Sequence, residues 1–177
     1  MRIKVMAAVF FVTALFIGGV DAQSSGPRMP YVDNGACPFE CCTYREWTVE
    51  KPTVAHREMR DSSPVIFRMK KGERVTGVTG TVITTRAGIV RVLRNTTLDK
   101  VKLRRGDNLF LLTYLGEGFS KIWYKGRIFE GDPNDQALFK QIRRPIDVWW
   151  VRVKNRGGQI GWSRQPDNFG NKDQCGR

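Results

Sequence analysis

The chain has 177 residues, with 30 lysines and arginines against 17 acidic residues, a formal charge of +13 and a single histidine. That length suits one domain or two very small ones. The lone His56 cannot supply the two or three imidazole ligands of a zinc amidase or peptidase, and no Gly-x-Ser-x-Gly elbow is present for a serine hydrolase. The basic excess points to an anionic partner or surface.

Met1–Lys4 is basic, Val5–Val20 is almost wholly apolar, and Val20-Asp21-Ala22 places small residues before Gln23. This predicts a secretory signal peptide over residues 1–22, cleaved after Ala22. The apolar run is shorter than the ~20 residues that cross a bilayer, and no second run follows, so no transmembrane anchor is expected after cleavage. The expected location is periplasmic or secreted. Cleavage leaves 28 basic and 16 acidic side chains, a formal charge of +12. For an exported chain the anionic partner is an envelope polymer, such as lipid or glycan phosphates or peptidoglycan carboxylates, and not nucleic acid.

Residues 23–43 read as a flexible, cysteine-containing leader, because Gln23–Gly35 holds serine, glycine, proline and asparagine with few apolar anchors. Cys37, Cys41, Cys42 and Cys175 form an even set, which in an exported chain predicts disulfides. Of three possible pairings, the one that needs a strained Cys41–Cys42 bridge is disfavoured. The other two join Cys37 to one of the vicinal pair and Cys175 to the other. Closing so long a loop removes about 4–5 kcal/mol of unfolded-chain entropy. A zinc site wants two close-spaced ligand pairs, which one distant cysteine does not complete, so no metal and no cofactor are expected.

From Tyr44 onward short alternating runs separated by turn residues predict strands at 48–49, 65–67, 74–78, 81–84, 89–93, 108–115, 121–124, 127–129, 149–153 and 159–162. Such a series implies a barrel or sandwich. One helix is expected, at Pro133–Arg143, where Asp132 can cap, Pro133 opens the first turn and Ala137, Leu138 and Ile142 recur near a helical period. The chain also echoes itself. Met69-Lys70-Lys71-Gly72-Glu73-Arg74-Val75 and Leu103-Arg104-Arg105-Gly106-Asp107-Asn108-Leu109 share one pattern, 34 positions apart, which reads as a repeat of one turn-and-strand unit.

The segment His56–Val75, with its small polar loop, Val65-Ile66-Phe67 strand and Lys71-Gly72-Glu73 turn, resembles the opening of a bacterial SH3 domain. Trp149-Trp150, the Arg156-Gly157-Gly158 turn and Gly161-Trp162 resemble that domain's last hairpin. The resemblance implies an all-β fold of small SH3-like barrels, stapled by disulfides, over residues 44–177. The stretch between residues 75 and 147 either forms a second barrel or is inserted into the first. The reading taken is two units, packed or intertwined, near 44–100 and 101–177. It also implies a noncatalytic binder of cell-wall or other envelope polymer, the alternative being an accessory protein that binds an envelope protein.

Neighbours on a strand point to opposite faces, so one member of each adjacent aromatic pair is expected to face outward. The candidate binding residues are therefore Trp123, Tyr124, Trp149 and Trp150. Tyr114 and Phe119 join them at a glycine-rich turn that lets backbone approach a partner, and Arg127 and Arg152 supply charge-assisted contacts. No catalytic residue is assigned. Carboxylate pairs such as Glu117 with Glu130, or Asp132 with Asp135, are of the type that hydrolyses glycans, but such pairs arise by chance in a chain with this many acids.

Overall fold

The computed structural model of the chain describes residues 26–175, so the signal peptide expected at 1–22 and the first leader residues lie outside the described residues. The fold is all-β, with a curled half-barrel sheet and two disulfides. Residues 31–86 give β1 (Tyr31–Asn34), β2 (Glu46–Val49), β3 (Thr53–His56), β4 (Val65–Met69) and β5 (Arg74–Arg86). Residues 88–143 give β6 (Gly88–Val92), β7 (Thr96–Leu98), β8 (Val101–Leu103), β9 (Asn108–Gly116), β10 (Phe119–Tyr124), β11 (Arg127–Gly131) and β12 (Phe139–Arg143). The chain then forms β13 (Ile146–Lys154), β14 (Ile160–Ser163), a 3-10 turn at Pro166–Asn168 and β15 (Phe169–Gly170).

The first and last blocks share one sheet, in the order β15-β2-β5-β13-β14-β3-β4, with β1 also on β5. The middle block makes its own sheet, β11-β10-β9-β6-β12, and a β7-β8 ribbon. The sheets therefore do not divide near residue 100. Residues 88–143 are inserted between β5 and β13, strands that pair along nearly their whole length. Each block buries its own apolar set. Trp47, Val49, Met69, Val75, Val153 and Phe169 belong to one core, and Val92, Leu103, Leu109, Ile122 and Phe139 to the other.

The two blocks are copies of one plan. Gly72 N–H donates to Val49 O at 2.8 Å and Val49 N–H to Glu73 O at 2.8 Å; Gly106 N–H donates to Val92 O at 2.8 Å and Val92 N–H to Asp107 O at 2.9 Å. Both glycines have positive φ, +85° and +91°, which a side chain would strain and which lets each turn fold back on its neighbouring strand. Beyond the turns, Val75 pairs with Trp47 as Leu109 pairs with Val90. Phe169 lies opposite Val49 as Phe139 lies opposite Val92. The strand path β15-β2-β5-β13-β14 is thus repeated as β12-β6-β9-β10-β11.

Two expectations need correction. The described part of the supposed leader is not loose, since Tyr31–Asn34 pairs with Thr81–Thr84 along the edge of β5 beyond β2. Its buried residues are a charge, Asp33, and the small Ala36, which is why the segment shows no large apolar anchor. The helix expected at Pro133–Arg143 is a turn followed by β12. Asp135 accepts Ala137 N–H at its carboxylate and Leu138 and Phe139 N–H at its carbonyl, which closes the turn. Phe139 then fills the second core while Ile142 is left exposed, so the spacing that suggested a helical face buries no such face.

Candidate functional site

The aromatic candidates do not converge on one place. On β13 Trp149 faces the first core with Val151 and Val153, while Trp150 points to the other face. Both are nevertheless covered. Trp150 is 5 % exposed, with its ring edge-on to His56 at 6.4 Å between centroids. Trp149 packs edge-on to Phe39 at 5.8 Å and carries the Lys172 ammonium 6.0 Å above its ring. Its buried indole N–H lies beside the Tyr44 hydroxyl, which donates to Ala36 O and whose pKa burial pushes up to about 12. Trp150 thus presents no surface to a ligand, and Trp149 is half-buried under its neighbours.

Tyr124 is likewise buried, in the second core, and its hydroxyl donates to Asp107 Oδ2 at 2.6 Å. Lys125 Nζ lies 4.7 Å from the Tyr124 ring centroid and 3.6 Å from Asp107 Oδ1. Trp123 occupies the opposite face of β10, half-buried and T-shaped against Phe110 at 5.4 Å. Arg127 is exposed at the start of β11, opposite Tyr124. Arg152 is exposed and stacks its guanidinium 5.8 Å above the Trp162 ring.

Tyr114 and Phe119 are the aromatic candidates left open to solvent, at 44 % and 45 % exposure. They flank the tight β9-β10 turn, where Tyr114 Oη accepts the Gly118 N–H at 3.2 Å. This turn meets the cysteine knot. Cys37 is bonded to Cys42 and Cys41 to Cys175, one of the two pairings the sequence leaves open, so the knot ties residues 37–42 to the chain's far end. Gly116, at φ +104°, comes so close that a Cβ there would stand 2.7 Å from Glu40 N. Between knot and turn lies an open cavity of about 400 Å³. Phe39, Glu40 and the Cys41 and Cys42 positions form one wall; Leu115, Glu117, Phe119 and Glu130 form the other.

The cavity carries three carboxylates and two phenyl rings on a strongly basic chain. It also brings together Glu117 and Glu130, one of the pairs weighed for hydrolysis. Both are exposed, as is Glu40, whereas a general acid is normally kept protonated by an apolar, desolvating pocket. The Asp132 and Asp135 carboxylates instead accept backbone N–H groups of Asn134 and Ala137, closing local turns. Glu40 also lies near the Cys41 and Cys175 sulfurs, but those sulfurs are bonded to each other. The sequence reading missed Phe39 and Glu40 because it treated their segment as leader. The available signal was the Cys37–Cys42 spacing, which pins whatever lies inside it.

No known protein family, curated protein or solved structure matches this chain.

Proposed function

We propose that this protein is an exported, noncatalytic binding module of the cell envelope, built from two nested SH3-like units, and that it holds cell-wall peptide at the cavity between the cysteine knot and the β9-β10 turn. The observation that carries the reading is that cavity's lining. Glu40, Glu117 and Glu130 suit the ammonium groups of a short peptide, and Phe119 and Phe39 give its aliphatic parts an apolar surface. The duplicated unit supports a binding role, because each copy is a small packed barrel-like sheet whose turns, and not its interior, are free to meet a partner.

The test is sedimentation of the mature, oxidised protein with purified peptidoglycan, at low salt and at about 0.5 M salt, where screening shortens to a few ångströms. Retention at both salts that is lost in Phe119→Ala and weakened in Glu117→Gln supports the cavity. Retention that vanishes at high salt, or that Phe119→Ala leaves intact, overturns it and moves an envelope protein partner to first place.

A further inference from the structure

The two copies of the repeated turn differ in one respect that bears on binding. In the second copy the Arg104-Arg105-Gly106-Asp107 turn faces the Tyr124-Lys125-Gly126 turn, and the gap between them is bridged. The Tyr124 hydroxyl donates to Asp107 Oδ2, and Lys125 pairs with Asp107 while lying over the Tyr124 ring. In the first copy the equivalent turns are Lys70-Lys71-Gly72-Glu73 and Asn155-Arg156-Gly157. Here asparagine stands where the second copy has Tyr124. Asn155 directs its side chain to Gln159, accepting its N–H at 2.9 Å and donating to its Oε1 at 2.8 Å, so it makes no bridge to Glu73 like that of Tyr124 to Asp107.

The result is an open groove of about 630 Å³ between the two turns. Lys70, Lys71, Arg74 and Arg156 line it, against the single carboxylate of Glu73. Among the described residues Lys70, Lys71 and Arg156 have no ion-pair partner, and Arg74 shares its guanidinium with Glu46 at 2.8 Å. Like charges gathered without counter-charges repel one another, and a ligand of opposite sign relieves that repulsion. Guanidinium forks match phosphate oxygens, and the lysines add mobile point charges. The volume falls within the ~300–1,000 Å³ of sites that hold whole small molecules. Among the described residues no aromatic side chain lines the groove, so they offer no platform on which nucleic-acid bases stack.

We infer that the groove between the Lys70–Arg74 and Asn155–Gly157 turns is a binding site for a phosphate-bearing chain without bases, open in the first copy of the repeat and closed in the second by the Tyr124–Asp107 bridge. This site is separate from the cavity at Phe119, and it stands or falls independently of peptide binding there.

The experiment is calorimetric titration of the mature, oxidised protein with tripolyphosphate and with a glycerol-phosphate oligomer, at about 0.05 M and about 0.2 M salt. Lys71→Gln with Arg156→Gln removes two groove charges on exposed turns; Arg104→Gln with Arg105→Gln removes the same charge at the closed copy. The expected result is binding that the groove variant weakens about tenfold or more and the control variant less than about twofold. Equal losses in the two variants would show attraction to net charge only and overturn the site. So would no binding of either probe, or tighter binding of an oligothymidylate of equal charge. Wall sedimentation of the groove variant keeps the two proposals apart, since retention through the Phe119 cavity does not need Lys71 or Arg156.

Discussion

Lys121 Nζ stands 2.8 Å from Asp33 Oδ1, joining β10 of the inserted block to β1 at the edge of the outer sheet. Asp33 is almost fully buried, and its second carboxylate oxygen has no hydrogen-bond partner. The pair is therefore the sole neutralisation of that buried charge among the described residues. Lys121→Met removes it and leaves an uncompensated carboxylate, at a cost of about 3–5 kcal/mol. Lys121→Met with Asp33→Asn recovers part of the loss. Urea unfolding of the three forms checks this, and a single variant as stable as the parent would contradict it.

The same pair sets an alkaline limit. Burial pulls the Lys121 ammonium down, but the Asp33 carboxylate hydrogen-bonded to it more than offsets that and holds it above the ordinary lysine value. A folded-state value above the unfolded one means the contribution is fully present below about pH 10.4 and is lost as pH rises through the folded value. Tyr31, which burial and the neighbouring Asp33 raise, titrates in the same alkaline direction. Chemical denaturation between about pH 9 and 12 is expected to show falling stability. Lys121→Met should flatten the slope.

Local features of this fold are legible in the sequence because they are written in neighbouring residues. The Gly72 and Gly106 turns and the alternation of Val151 and Val153 with Arg152 and Lys154 each need only a few positions, and the structure places a turn or strand at each. The nesting is not local. Nothing near Arg86 or Ile146 says that the two pair with each other and not with the strands beside them in sequence. Short elements such as β7 and β15 hold two or three residues, too few for an alternating pattern to stand out. At the turn, Tyr114 and Phe119 are exposed beside the glycines that drew attention to them in the sequence. Trp150 is not: the expectation that one of two adjacent aromatics faces outward assumes one bare sheet face, and here His56 packs on the outward ring.

The bridge that closes the second groove has an acid-side signature. Burial works to raise the Asp107 carboxyl, and the Tyr124 hydroxyl, the Arg104 N–H and the Lys125 charge outweigh it and hold the group below the ordinary aspartate value. For a depressed acid the stabilisation is present above the unfolded value, about pH 3.9, and fades as pH falls through the folded one. Tyr124→Phe keeps the ring in the core and deletes the donor. It should cost about 1.5–3 kcal/mol at neutral pH, the range for hydrogen bonds to charged groups, and less at about pH 3. An equal loss at both pH values would mean that the hydroxyl does not act through the carboxylate.

Gly77 lies against Trp47, a fully buried ring at the centre of the first core. A Cβ at position 77 would come within 2.6 Å of two Trp47 ring carbons, and the tryptophan is held by Tyr44, by Phe169 and by its own N–H, which donates to Thr43 O at 3.0 Å. Gly77→Ala therefore overpacks the core and should lower stability by about 1–3 kcal/mol. A blue- or red-shifted tryptophan emission in the folded variant would report the displaced ring. An unchanged unfolding midpoint would show that the ring can move away freely.

The Cys41–Cys175 bond closes a loop with a sequence separation of 134, whereas Cys37–Cys42 spans only 5. In the chain-entropy account a loop that long restrains the unfolded state by about 4–5 kcal/mol, and the short loop by considerably less. The paired variant Cys41→Ser with Cys175→Ser leaves no odd thiol and should lose most of the stability that full reduction removes. Cys37→Ser with Cys42→Ser should lose the smaller part. The second pair nevertheless shapes the Phe39–Glu40 wall, so its loss should weaken peptidoglycan retention more than it weakens folding. Unfolding and sedimentation measured side by side on the two variants separate these effects, and parallel losses in both assays would argue that the knot stabilises the fold without forming the site.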